Sequence, residues 1–349
     1  MGKWELPPTV VHGKAGGNPL RVRRAGAAMT DVLIIKPSSL GDILNGLQLA
    51  ATLKAGRPDL RISWVVADAF APVVRDCLTV DRVFVFTRKG GLGGFVRLLR
   101  ELRRERFDVV LDLQGLARSG LMTWAARAPR KVGRSDSREG AGLFYSETVP
   151  LPEGRWREHS VAILLEFCRV FGVPPLLAGR VAFRPPAEFR HEAHFAKVAG
   201  RGPVLMFPDS RGADREWPGF AELTRRFLST HSEARVVWLG QKVLPSPEGV
   251  DPARFVNLMG ATTLPEVIAA LPRAALVVAN DSGPMHLAAA LGVRTLSLFG
   301  PTRADMRAPY PPDGDKHTAL DSPDGTMAGL SVDAVSAALD AAWTRAAAG

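Results

Sequence analysis

At 349 residues, 46% hydrophobic and 23% charged, the chain is too long for a single core and reads as a globular protein of two domains. Two cysteines, Cys77 and Cys168, in apolar settings argue against a disulfide scaffold, and seven His without ligand spacing argue against a metal site. No run is long enough to cross a bilayer and no signal-peptide core is present, so the sequence reads as cytoplasmic, with a formal charge of +10 that favours acidic partners.

Residues 1–28 are rich in Gly and Pro, basic and without periodicity, and are expected to be a disordered extension, with Met29 a candidate for the true start. Asp31 to Lys36 reads as a buried strand, Pro37 to Asp42 as a tight polar loop, and Ile43 to Ala55 as a helix. Arg61 to Ala67 and Arg82 to Phe86 are strand candidates. Phe95 to Phe107 is a basic amphipathic helix with Phe95, Leu98, Leu99 and Leu102 on one side. Asp108 to Leu113 returns to strand. Gly172 to Pro186 has the composition of a linker, after which the pattern restarts.

In the second half Pro203 to Phe207 is a strand, Asp209 to Asp214 a polar loop and Pro218 to Thr230 a helix. Val236 to Leu239, Leu276 to Ala279 and Thr295 to Phe299 follow as strands, with helices at Leu264 to Leu271 and Met285 to Leu291. Ser331 to Ala348 closes the chain as an Ala-rich helix. Strands alternating with helices predict an α/β fold of two doubly wound parallel sheets, divided as 29–178 and 179–330, with residues 331–349 as a terminal helix. Such halves place a ligand cleft between them, at the carboxyl ends of the strands.

Three loops face that cleft. Asp42, after Gly41 at a helix start, is either a cap or a general base aimed across the cleft. The run from Asp209 to Pro218 offers the Ser210 hydroxyl and the guanidinium groups of Arg211 and Arg215, suited to a diphosphate, or else is a charged surface loop. Asn280-Asp281-Ser282-Gly283 turns into a helix whose free N–H groups suit phosphate, with His286 in its first turn; the bland reading is an ordinary capped helix. The dinucleotide fingerprint, the P-loop and the G-x-S-x-G elbow are all absent.

The runs KPSSLGDIL near Lys36, DLQGLARS at Asp112, RGADREWP at Arg211, NLMG at Asn257 and NDSGPMHLAAALG followed by FGPT come in one order between Asp31 and Tyr310. In them the chain resembles the ADP-heptose:lipopolysaccharide heptosyltransferases of glycosyltransferase family nine, and its QGLARS run is most similar to the heptosyltransferase I branch. The resemblance implies the GT-B architecture: two Rossmann-like domains facing a cleft, acceptor in the first, donor in the second, and a C-terminal helix packing back across the cleft. It implies that Asp42 is the catalytic base. Donor contacts would fall to Ser210, Arg211, Arg215 (where the family usually has lysine), Met259, Asp281, Ser282, Gly283 and His286. Acceptor contacts would fall to Ser39, Gln114, Arg118, Lys131, Arg138 and His159. The chain departs from the family at Asn45-Gly46, at Val161-Ala162-Ile163 and at Gln241-Lys242.

The function so implied is an inverting, metal-independent transfer of heptose or a related sugar from an ADP-sugar to a lipopolysaccharide-core-type acceptor. It would take place on the cytoplasmic face of the inner membrane, with no cofactor and no nucleic-acid partner. A nucleotide-sugar epimerase on a similar scaffold, or a non-catalytic protein that binds anionic lipid through the basic helix, are the alternatives.

Overall fold

In the computed structural model the described residues are 29–152, 158–198, 200–311 and 314–347. The expected disordered extension at 1–28 lies outside them. The first half contains strands β1 (Thr30–Ile35), β2 (Leu60–Ala67), β3 (Arg82–Phe86), β4 (Val109–Asp112), β5 (Arg130–Arg134) and β6 (Glu147–Val149). Its helices are α1 (Leu40–Gly56), α2 (Ala71–Asp76), α3 (Gly91–Arg104), α4 (Ala117–Ala125) and α5 (Ser160–Leu165). All strand pairs are parallel, in the order β3-β2-β1-β4-β5-β6.

The apolar spelling of β1 follows from its central place. Val32 and Ile34 face the layer of α1, with Leu44 and Leu47, while Leu33 and Ile35 face the layer of α3, with Leu98 and Leu102. Alternate residues of one strand thus feed two cores, which is why the run shows no polar alternation.

The second half repeats the plan. It comprises β7 (Val204–Phe207), β8 (Val236–Gly240), β9 (Phe255–Met259), β10 (Leu276–Asn280), β11 (Thr295–Phe299) and β12 (His317–Asp321). Its helices are α6 (Phe220–Thr230), α7 (Leu264–Ala270), α8 (Gly283–Ala290), α9 (Ala304–Arg307) and α10 (Val332–Ala347). The parallel order β12-β11-β10-β7-β8-β9 is the first topology again. Each sheet reverses direction of growth beside its first strand, between β1 and β4 and between β7 and β10, and a crevice opens there at the carboxyl ends.

The linker read at Gly172 to Pro186 lies along the first half. Ala182 O accepts from Leu78 N at 2.8 Å and Ala178 O accepts from the Thr52 hydroxyl at 2.9 Å. The terminal helix departs from expectation. Val335, Leu339, Ala342 and Trp343 of α10 are buried in the second-half core, with Trp343 edge-on to Phe227, so α10 stays on its own half. An apolar stripe facing α6 outcompetes a return across the cleft. The crossing is made instead by Ala308 and Tyr310, just after α9.

Candidate active site between the two halves

The first half contributes the end of β1 and the start of α1. Asp42 occupies the third helical position, where its carboxylate accepts from the backbone N–H and the hydroxyl of Ser39, both at 3.0 Å. Lys36, at the end of β1 and only 5% exposed, brings its Nζ to 3.9 Å from Oδ1 of Asp42. Partial burial raises the pKa of Asp42, but the Lys36 charge, the two Ser39 donors and His286 together hold it below the ordinary carboxylate range. Asp42 is therefore ionised at neutral pH, its side chain half-exposed toward the cleft. Burial pushes the Lys36 ammonium down, opposed by Asp42 and Asp112.

The second half contributes the loops after β7 and β10, tied together by Asn280. Its side chain, fully buried, accepts from Trp217 N at 3.1 Å and donates to Pro208 O at 3.0 Å. Between these anchors lie the diphosphate-loop candidates. Arg215 places a guanidinium nitrogen 3.6 Å from Oδ2 of Asp281, whose side chain is 4% exposed. His286, in the first turn of α8, stands 3.9 Å from the other Asp281 oxygen; burial lowers its pKa against the pull of Asp281 and Asp42, with Arg307 adding to the lowering. The hydroxyls of Ser210, Ser282 and Thr302 are buried and have no hydrogen-bond partner. Buried polar atoms of this kind are rare in finished cores, and Ser282 at the start of α8, with Ser210 and Thr302 on the loops after β7 and β11, fits a ligand rich in oxygen.

Met259 ends β9 and is buried. Arg211 takes a different course from its neighbours. It is exposed and lies over the ring of Phe70 in the first half, 6.0 Å from the centroid.

The two helix starts meet. A Cβ on Gly41 would fall 2.8 Å from Cδ2 of His286, and one on Gly283 would fall 2.6 Å from Cδ2 of Leu40. Both glycines permit the close approach of the opposite half, and the catalytic candidate of one half thereby adjoins the phosphate-cradle candidates of the other. Two further contacts cross the seam. Gln48 Nε2 donates to Tyr310 O at 3.3 Å, and His159 bonds Ala308 O at 2.7 Å while stacking on Tyr310.

The acceptor candidates do not all come together. A cavity of about 390 Å³ opens at the first switch point, against Ser38, Arg88, Gln114, Arg118 and Glu139. Gln114 Oε1 is buried there without a partner, and Arg118 lies over Phe86. Ser39 spends its hydroxyl on Asp42. Lys131 donates to Trp124 O at 3.0 Å and Arg138 is exposed on the turn before Glu139; neither lines the cavity. His159 belongs to the seam: its Nδ1 accepts from Val161 N, which fixes Nε2–H toward Ala308. Lys36, Asn280, Arg88 and Thr302 are additions of the structure. A lysine ending a strand, an asparagine before an Asp-Ser turn and a threonine after Gly300-Pro301 were all visible, but their burial was not.

Two doubly wound halves with facing switch points form the GT-B architecture. The chain matches glycosyltransferase family 9 (heptosyltransferase) over residues 95–326 and belongs to that family. It is 26% identical to lipopolysaccharide heptosyltransferase 1 of Salmonella typhimurium, over 87% of this chain and 98% of that one. Heptosyltransferase 2 of the same organism is also 26% identical, over 80% and 85%. The expected lean toward heptosyltransferase I is thus not specific; the likeness is to the family. The E. coli heptosyltransferase WaaC with ADP shares the fold at a TM-score of 0.73 and 24% identity, covering 89% of this chain and 99% of its own. Membership sets the transferase above the epimerase and the non-catalytic lipid binder. No helix of the described residues is long and apolar enough to cross a membrane.

Proposed function

We propose that the chain transfers heptose, or a closely related sugar, from an ADP-sugar to a lipid-anchored anionic glycan of the lipopolysaccharide core, with inversion and without a metal. Supporting the donor are relatives named lipopolysaccharide heptosyltransferases and the structure of E. coli heptosyltransferase WaaC with ADP-2-deoxy-2-fluoro heptose. The observation that carries the reading is the meeting of the α1 and α8 starts, which sets the Asp42 carboxylate beside the cradle of Ser282, Gly283 and His286. In this reading residues 29–178 hold the acceptor and 179–330 the donor. Arg118 and Gln114 are the acceptor contacts that the cavity supports.

Sugar departure leaves negative charge on the diphosphate and positive charge at the anomeric carbon. Arg215 and the N–H groups of α8 stabilise the first by fixed donors, and Ser210 and Ser282 supply hydroxyls to the same oxygens. Asp42, ionised and held by Ser39, takes the acceptor proton as the hydroxyl attacks from the opposite face. The acceptor's lipid anchor puts the enzyme at the cytoplasmic face of the inner membrane, where the exposed arginines of α3 meet anionic headgroups.

The test is a thermal-shift panel of ADP-, UDP- and GDP-sugars, followed by transfer in chelator. Stabilisation by the ADP-sugar above the others, with turnover in chelator, is expected; preference for another nucleotide would move the donor class.

A further inference from the structure

The acceptor cavity has an unusual rim. Three segments line it, and each carries an exposed leucine three or four residues further on. The segment of Arg88 leads to Leu92, 78% exposed; Arg118 leads to Leu121, 38% exposed; Glu139 leads to Leu143, 87% exposed. Trp124, one helical turn beyond Leu121 on the same face of α4, is 51% exposed, with the Arg103 guanidinium over its ring. Four of the nine large apolar side chains exposed among the described residues thus sit on the elements around one cavity. Single exposed leucines are ordinary; a group placed around a mouth is not.

The charge around them is as one-sided. Segments 88–104, 117–125 and 138–143 hold Arg88, Lys89, Arg97, Arg100, Arg103, Arg104, Arg118 and Arg138 against two acids, Glu101 and Glu139. None of these eight cations enters an ion pair among the described residues, although most arginines elsewhere on the surface do. Glu139 is already spent on the N–H of Ala117. Apolar and aromatic tips interleaved with unpaired cations are complementary to one kind of surface, a bilayer with anionic headgroups: leucine and tryptophan enter the acyl boundary while the guanidinium groups stay among phosphates. A protein partner would be expected to meet some of the cations with carboxylates and to offer a groove for the leucines.

We infer that this rim, Leu92, Leu121, Trp124 and Leu143 with their flanking arginines, is a membrane-docking face that seats the mouth of the acceptor cavity on an anionic bilayer. The inference deepens the reading given above, since a lipid-anchored acceptor then reaches the cavity without leaving the bilayer. Binding to the bilayer itself requires neither donor nor acceptor.

The test therefore uses the full chain and vesicles without any sugar acceptor, phosphatidylglycerol-containing against pure phosphatidylcholine, with sedimentation as the readout. Binding to the anionic vesicles alone is expected. Leu92→Asn with Leu143→Asn should weaken it by about tenfold or more, through loss of two inserted side chains. Leu176→Asn, an equally exposed leucine on the linker, should leave it unchanged. Salt raised to about 0.5 M should weaken binding without abolishing it, because screening removes the headgroup attraction and spares the insertion. Absence of binding, equal loss with Leu176→Asn, or sedimentation of the protein without vesicles, the sign of a second copy on the rim, would each overturn the proposal. Donor thermal shift on the same variants keeps the two readings apart: a rim that fails with donor binding intact leaves the transferase standing.

Discussion

Asp42 is held by a capping box with Ser39 and by a lysine charge that a cap alone would not need. Ser39 donates twice to its carboxylate, and a buried lysine stands behind it, so the group is ionised without being fully withdrawn from the cleft. Asp42→Asn keeps the shape and much of the capping ability, and the protein should fold and bind nucleotide sugar as before. Turnover should fall by roughly 10² to 10⁴, the usual contribution of a positioned base. Rate and donor affinity measured together decide the matter, and near-normal turnover would remove Asp42 from the mechanism. Arg215 poses a different problem because it also faces the buried Asp281 carboxylate at 3.6 Å. Arg215→Ala should weaken donor binding by about 2–3 kcal/mol, part from the lost charge-assisted contact and part from an anion left facing the phosphates. Adding Asp281→Asn should recover the second part. If the double variant binds no better than Arg215→Ala, Asp281 does not face the donor.

At the scale of elements, the glycines at the two helix starts carry a prediction. Alanine in place of glycine ordinarily stabilises a helix by roughly 0.5–1 kcal/mol. Here Gly41→Ala would drive a methyl group against the His286 ring of the other half, whereas Gly283→Ala meets only the flexible end of Leu40. Gly41→Ala should therefore cost on the order of 10²-fold in turnover, the scale of an ångström-sized misplacement, with little change in melting temperature. Gly283→Ala should cost less. Equal rates for both variants would mean that the seam is loose at His286. The same elements explain what could be read in advance. β1, β7 and β10 are central, buried on both faces, and their apolar runs announced them. β5 (RKVGR), β6 (ETV) and β12 (HTALD) lie toward the sheet margins, are short and carry polar residues, so propensity had nothing to grip and tertiary pairing alone makes them strands. The site divides in the same way. Motif spelling brought Asp42, Arg215, Ser282 and His286 to attention, but placing Lys131 and His159 outside the cavity needed the fold, since both are set by partners more than a strand away in sequence or across the seam.

At the scale of the molecule, the two halves are joined where α5 begins. The imidazole of His159 accepts from Val161 N–H through Nδ1 at 3.1 Å and donates through Nε2–H to Ala308 O at 2.7 Å, with Tyr310 stacked on its face at 4.8 Å. That arrangement requires the neutral ring. Burial pushes the His159 pKa down to about 4; the bond to Ala308 works the other way, and the charge of His286 adds to the lowering. An unfolded chain would titrate near the ordinary value of about 6.5. Because the folded value lies below the unfolded one, the stabilisation from His159 is complete above about pH 6.5 and is lost as pH falls through about 4. Protonation removes the lone pair that caps Val161 and places a charge in the seam. Melting temperature should therefore drop between pH 6.5 and pH 4 more steeply in the native protein than in His159→Gln, which cannot titrate. At pH 7.5 the variant should be the less stable by about 1–2 kcal/mol, the worth of buried hydrogen bonds given up, and the two curves should meet above pH 4, because a shift from about 6.5 to about 4 is worth more than that gap. The carboxylates contribute to both proteins alike, so the difference between the curves reports His159 together with its coupling to His286. Parallel curves over the whole range would show that the seam is held by the bond from Gln48 and the close approach of the α1 and α8 starts, with the imidazole a bystander.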